Sequence, residues 1–205
     1  LRKSEGEMRR LRGRKLCMIP QDPMTSLNPA FNVGYQITEA LRIQGGDCNR
    51  RRLWQRAKDM LQQVKIASPE ERLRAYPHQL SGGTRQRVVG AIALSCQPNL
   101  LIADEATTSL DATTQSQYLE LLRKSREQAN MALIFITHNM GIIARMCDRV
   151  AVMYAGRIVE TAPTRELFRH PLHPYTEALM RSVPNLEKRV ERLYSIEGQP
   201  PAVTQ

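Results

Sequence analysis

At 205 residues the chain is long enough for one large domain, or for a domain with an appendage, and its 41% hydrophobic and 24% charged residues are an ordinary globular balance. No apolar run approaches the roughly 20 residues needed to span a bilayer, no basic-apolar leader suggests secretion, and the scattered Cys17, Cys48, Cys96 and Cys147 lack paired metal spacing and read as reduced, buried thiols of a cytosolic protein. The net charge of +10 fits a nucleic-acid footprint, a surface facing anionic lipid, or arginines scattered over solvated helices, clustered only at Arg50-Arg51-Arg52 and between Arg2 and Lys15; aromatics at 5% offer no stacking platform for bases.

In chain order, Leu1 to Arg14 is charged and reads as a helix end and a turn. Lys15 to Ile19 is a short strand, broken by Pro20. Gln21 follows in PQDPMTSLNP, whose three prolines predict a loop. A movable, uncharged amide there can both donate and accept hydrogen bonds, which suits sensing a phosphate. Taken alone, the segment is a proline-rich turn with a surface glutamine.

Val33 to Gln44 reads as a helix stopped by Gly45-Gly46. Arg51 to Lys65 is a second helix, with Leu53, Trp54, Ala57, Met60, Leu61 and Val64 at helical spacing; Trp54 is expected to pack in the core. Pro69 to Leu73 is a short helix, and His78, after it, is structural or on the surface.

The stretch from Leu80 to Asp111 organises the rest. Ser81-Gly82-Gly83 opens a helix running from Thr84 to Ser95, and glycines at a helix amino end let backbone N–H groups approach a phosphate. Leu100 to Ala103 is a buried strand with Asp104-Glu105 at its carboxyl end, where ligands bind in open parallel α/β sheets. Two adjacent carboxylates there divide into one that reaches a metal ion on a phosphate and one that orients water. Asp111 can cap the next helix, Ala112 to Gln128. Ala132 to Ile136 is another buried strand, ending at Thr137-His138. Met140 to Cys147 is a short helix, Arg149 to Tyr154 and Arg157 to Glu160 form a hairpin about Ala155-Gly156, and Thr164 to Arg169 is a short helix. His170 and His173, flanked by prolines, serve turn chemistry; a charged tail from Leu186 carries Gly198-Gln199-Pro200-Pro201.

LSGG followed by Gln86, then LLIADE, then Ser109-Leu110-Asp111, with His138 downstream, resembles the ATP-binding-cassette ATPases over nearly the whole chain. These pieces match the family's signature motif, Walker B strand and D-loop in order, and QDPMTSLNP and HPYT narrow the resemblance to the oligopeptide and dipeptide importers. The resemblance implies an α/β P-loop NTPase-like core over 1–162, with a helical subdomain at about 33–96 carrying the signature and an extension over 163–205. It implies ATP and Mg2+ as ligands. Asp104 and Gln21 would serve the metal, and Glu105, His138 and Gln21 the attacking water and γ-phosphate. Ser81, Gly82, Gly83, Gln86 and Asp111 would meet nucleotide across a dimer interface. Ala106 stands where the family usually has proline, which would loosen the loop, and Asn139 where it has aspartate, which puts the local geometry in question.

The partners implied are a second cassette subunit, identical or different, two membrane permease subunits and, indirectly, a solute-binding protein, at the cytoplasmic face of a bacterial inner membrane. The alternative is a soluble cassette ATPase acting on nucleic acid or the ribosome, against which the two importer segments speak. No glycine-rich loop ending in glycine-lysine-serine or threonine precedes Gln21. The expectation is therefore a partial chain lacking the Walker A region, hardly competent alone and prone to associate through an uncovered sheet.

Overall fold

Three short, continuous apolar runs build one parallel sheet. Its strands are β1 (Leu16–Ile19), β2 (Leu100–Asp104) and β3 (Ala132–Ile136), in the order β1-β2-β3. The computed structural model describes residues 3–45, 49–108 and 110–183. They fall into two compact units, Leu1–Ile136 and Thr137–Gln205. The expectations for Cys48, Ser109 and the tail after Val183 lie outside the described residues.

In the first unit, Cys17 pairs with Leu101, and Met18 lies in one row with Ile102 and Ile134. One sheet face, with Cys17, Ile19, Leu101 and Ala103, is buried. The other leaves Met18 and Ile134 49% exposed and Ile136 47% exposed. The expectation of β3 as a buried strand is thus corrected. Among the described residues it is an edge strand paired only to β2, and an apolar run does not say which of its faces is covered.

Parallel strands require crossovers. The first holds α2 (Pro23–Ser26), α3 (Val33–Ile43), α4 (Arg50–Gln63), α5 (Pro69–Arg74) and α6 (Gly82–Ser95); the second is α7 (Ala112–Ala129). A further helix, α1 (Glu5–Leu11), precedes β1 and starts at a Ser4/Glu7 capping box. α2 is one helical turn inside the segment expected to be a loop, because Asp22 caps it and Pro23 suits its first position. Asn32, Asn49, Ser81 and Asp111 cap α3, α4, α6 and α7.

Ile37, Leu41, Leu53, Leu61, Leu73 and Val88 are buried among these helices. Each contributes roughly 1.5–3 kcal/mol of burial energy. Trp54 packs over Gly34, where an added Cβ would come within 2.5 Å of the indole ring and 2.9 Å of the Leu73 carbonyl.

The second unit holds α8 (Met140–Met146), β4 (Arg149–Tyr154), β5 (Arg157–Pro163), α9 (Thr164–Arg169) and α10 (Pro174–Ser182). Ala155 and Gly156 both take left-handed backbone, as a tight hairpin turn requires, and β5 runs three residues past its expected end, pairing to Arg149. The Glu160 carboxylate accepts the N–H groups of Leu172 (2.9 Å) and His173 (3.1 Å), and His173 Nδ1 caps α10 by accepting from Tyr175 N (3.1 Å). Among the described residues no helix is long and apolar enough to cross a membrane.

Candidate functional site

The carboxyl end of β2 carries the chemistry. Asp104 is its last residue and is half-buried. Glu105 donates its N–H to the Ile136 carbonyl (2.9 Å) and then turns into left-handed backbone at φ +43. For a residue with a Cβ this costs about 1–3 kcal/mol and persists only where the surroundings hold it. Here the Glu105 carbonyl accepts both the N–H and the hydroxyl of Thr108, each at 3.1 Å. Ala106 and Thr107 are buried beneath the turn, and the Gln115 amide donates to the Thr107 hydroxyl (3.1 Å). Alanine at 106 therefore sits in a pinned turn.

This turn presents Glu105 Oε2 to two donors: Gln21 Nε2 at 2.9 Å and the Thr108 hydroxyl at 3.3 Å. The structure thus brings Gln21 and Glu105 together beside Asp104. With Nε2 on Glu105, the oxygen donor left in the Gln21 amide is Oε1. An amide oxygen and the Asp104 carboxylate are the ligand type that Mg2+ prefers, with water and phosphate oxygens completing its shell. Among the described residues no group of three or more acidic, histidine or cysteine side chains is assembled.

The serine-glycine-glycine turn lies at the amino end of α6. Ser81 Oγ accepts from Thr84 N (3.3 Å) and pairs with the Thr84 hydroxyl (2.9 Å). Among the described residues nothing stands within 4 Å of a Cβ added at Gly82, and one at Gly83 would lie 3.2 Å from Leu110 Cδ2. The turn is open on one side and in contact with the Asp111 cap region on the other. Arg85 donates to the Pro77 carbonyl (2.6 Å) and also contacts Met24 Sδ, so α2, behind Gln21, leans on α6.

Gln86 is a correction. It is only 1% exposed, and both of its amide atoms are buried with no hydrogen-bond partner. It faces into the helix packing and is not brought to the open turn, because position 86 falls on the inner face of α6 with Val89 and Gly90.

Asp111 is exposed and caps α7. The Thr114 hydroxyl and then the Thr114 N–H hold its carboxyl below the usual range. In the second unit, His138 is exposed, between Thr137, whose hydroxyl accepts from Asn139 N (3.0 Å), and Asn139, whose Oδ1 accepts from Gly141 N (2.9 Å) and Ile142 N (3.3 Å). Asparagine at 139 is thus a functioning helix cap.

Sequence reasoning missed Thr108, Thr84 and Gln115. The hydroxyls three residues after Glu105 and Ser81 were the available signal, since serine and threonine bond locally to backbone in such turns. It also took the cysteines as separate. Cys17 and Cys96 meet where β1 packs on α6, and contact with Cys17 draws the Cys96 thiol down while burial pushes the other way.

Comparison with known proteins finds similarity of sequence and fold to described families. The ABC transporter family model matches residues 2–108, and the model of the oligopeptide/dipeptide transporter C-terminal region matches residues 159–205. The chain is 51% identical, over 97% of its length, to the dipeptide transport ATP-binding protein DppD of Escherichia coli (strain K12), and 50% identical, over 98%, to the oligopeptide transport ATP-binding protein OppD of Bacillus subtilis (strain 168). It spans 60% and 56% of the length of these two relatives. The fold is similar to that of the dimeric ATP-binding cassette MJ0796 in a state bound to ADP and Pi (TM-score 0.73, 24% identity, 80% of this chain and 69% of that one). It is also similar to cbiO1 from Clostridium perfringens (TM-score 0.66, 26% identity, 83% and 64%). The α/β cassette core with its helical subdomain is therefore as expected. The expectation of a partial chain lacking the Walker A region is corrected: the ABC transporter family model matches from residue 2, so the opening stretch through α1 lies inside the matched domain.

Proposed function

We propose, since this chain belongs to the ABC transporter family, that it acts as an ATP-hydrolysing subunit of an importer for peptides of the dipeptide and oligopeptide class. The observation that carries this reading is the 2.9 Å hydrogen bond from Gln21 Nε2 to Glu105 Oε2. It joins the segment resembling the Q-loop to the acid placed to polarise water.

In this mechanism the Glu105 carboxylate orients the attacking water by accepting a hydrogen bond from it, and takes its proton as the bond to the γ-phosphate forms. The Gln21 amide keeps that carboxylate aimed. Asp104 and Gln21 Oε1 would hold Mg2+, which supplies neutralising charge on the phosphate oxygens when bound. His138 hydrogen-bonds the γ-phosphate. Ser81, Gly82 and Gly83 close on nucleotide held by a second cassette subunit, and Asp111 lies at that interface; the enclosed Gln86 has no part in it. Two permease subunits receive the motion through α2 and the helical subdomain, and a solute-binding protein delivers the peptide. Residues 163–205 form an extension of this importer branch, and the assembly sits at the cytoplasmic face of a bacterial inner membrane.

The test is phosphate release and peptide uptake by the transporter reassembled with its permease subunits. Glu105→Gln is expected to stop both while nucleotide still binds. A Glu105→Gln transporter running at the parent rate would overturn the assignment.

A further inference from the structure

The first turn of α4 sets three arginines side by side, Arg50, Arg51 and Arg52, and holds no acidic residue. A helix amino end carries partial positive charge, so basic side chains there oppose the helix dipole. The stability of α4 does not account for them. What they share is an open cavity of about 880 Å3, whose lining also includes Trp54, Glu70 and Arg74. Arg74 comes from the last turn of α5, so two elements bring guanidinium groups to one hollow.

Among the described lining residues Glu70 is the one carboxylate facing four guanidiniums. It is already engaged. Lys58 Nζ lies 3.2 Å away and Trp54 Nε1 donates to it at 3.4 Å; Lys58 first, and Trp54 next, hold its carboxyl below the usual range. The Asn49 side chain takes the backbone N–H groups of Arg51 and Arg52. The site therefore offers a ligand guanidinium chemistry, not backbone amides.

We propose that this cavity docks the phosphate headgroups of anionic lipids. Planar guanidinium groups bind phosphate oxygens in pairs, and a phosphate complements the excess of guanidiniums over carboxylates among the described lining residues. Trp54 in the wall has its ring against Gly34 and its N–H on Glu70, the half-apolar, half-polar arrangement suited to a water–lipid boundary. The open mouth admits a headgroup still tethered to its bilayer. The proposal rests on the membrane-apposed setting given under Proposed function, but its test needs neither nucleotide nor permease.

The full chain is sedimented with vesicles of phosphatidylcholine alone or with phosphatidylglycerol added, while the emission of Trp54, the chain's single tryptophan, is followed. Binding and a blue shift are expected only with phosphatidylglycerol. The triple variant Arg50→Gln, Arg51→Gln, Arg74→Gln should lower partitioning about a hundredfold, at roughly fivefold per basic residue near an anionic surface. An equal charge change on exposed residues elsewhere, Arg9→Gln, Arg10→Gln, Arg14→Gln, should lower it no more than about fivefold. All six arginines are exposed, and circular dichroism checks that both variants fold. Equal losses in the two triples would mean diffuse attraction and overturn the site. So would a Trp54 response to inorganic phosphate or duplex DNA without vesicle binding. A chain that sediments with vesicles although its transporter never hydrolyses ATP would sink the functional reading and leave this one standing.

Discussion

Gln21 and Glu105 lie 84 positions apart in sequence and are joined by a 2.9 Å amide–carboxylate hydrogen bond. Glu105 reaches it from a left-handed residue whose carbonyl is held by Thr108. The carboxylate is thus aimed from behind by a turn and from the front by a donor on another loop.

This pair gives the first prediction. Glu105→Gln should lower ATP hydrolysis by about a hundredfold or more, with stability changed by no more than about 0.5 kcal/mol because the side chain is half-exposed. Gln21→Ala should cost about tenfold. Gln21→Glu should be worse than Gln21→Ala, since a like charge beside Glu105 favours its protonated form. Steady-state phosphate release across the four proteins orders them.

A second prediction concerns Gly90 on α6 and Tyr118 on α7. A Cβ at Gly90 would overlap the Tyr118 hydroxyl, which is buried without a hydrogen-bond partner and whose ionisation burial pushes up. Gly90→Ala should destabilise by about 1–3 kcal/mol. Tyr118→Phe removes an unsatisfied hydroxyl and should stabilise by about 1 kcal/mol. The double variant should recover most of the Gly90→Ala loss, and urea denaturation of the four-protein cycle measures the coupling.

The third is a pH dependence. The carboxyl of Asp111 is depressed in the folded chain by the Thr114 hydroxyl and N–H. A depressed carboxyl stabilises above its unfolded value, near about 3.9, and loses that contribution as pH falls through the folded value. The Tm gap between the parent and Asp111→Ala should be full at neutral pH and close below about pH 4. Asp111→Asn should retain the cap at both ends of that range.

In the second unit, Glu160→Gln keeps one acceptor but loses the charge that strengthens the bonds to Leu172 and His173. A loss of roughly 1 kcal/mol is expected, with faster hydrogen exchange at those two amides by about fivefold.

The sequence patterns revealed the strands and the long helices because these rest on local periodicity: Leu53, Ala57 and Leu61 on α4 are all buried, as their spacing requires. Caps were legible for the same reason, as at Asp111. Facts that depend on distant neighbours were not. The exposure of Ile134 and Ile136 is set by which sheet face is covered, and the meeting of Cys17 with Cys96 by how β1 packs on α6. Gln86 belongs to the same class. A polar residue three positions past a glycine turn looks available until the surrounding packing encloses it. In the candidate site the residue types were readable, but the bond between Gln21 and Glu105 and the backbone twist at Glu105 needed coordinates.

The closeness of Gly83 to Leu110 has an evolutionary consequence. Any side chain acquired at 83 must push the Leu110 methyl aside by a few tenths of an ångström, so lineages that enlarge one position are expected to trim the other. The two sites should drift as a matched couple, each a tolerance gauge for its neighbour.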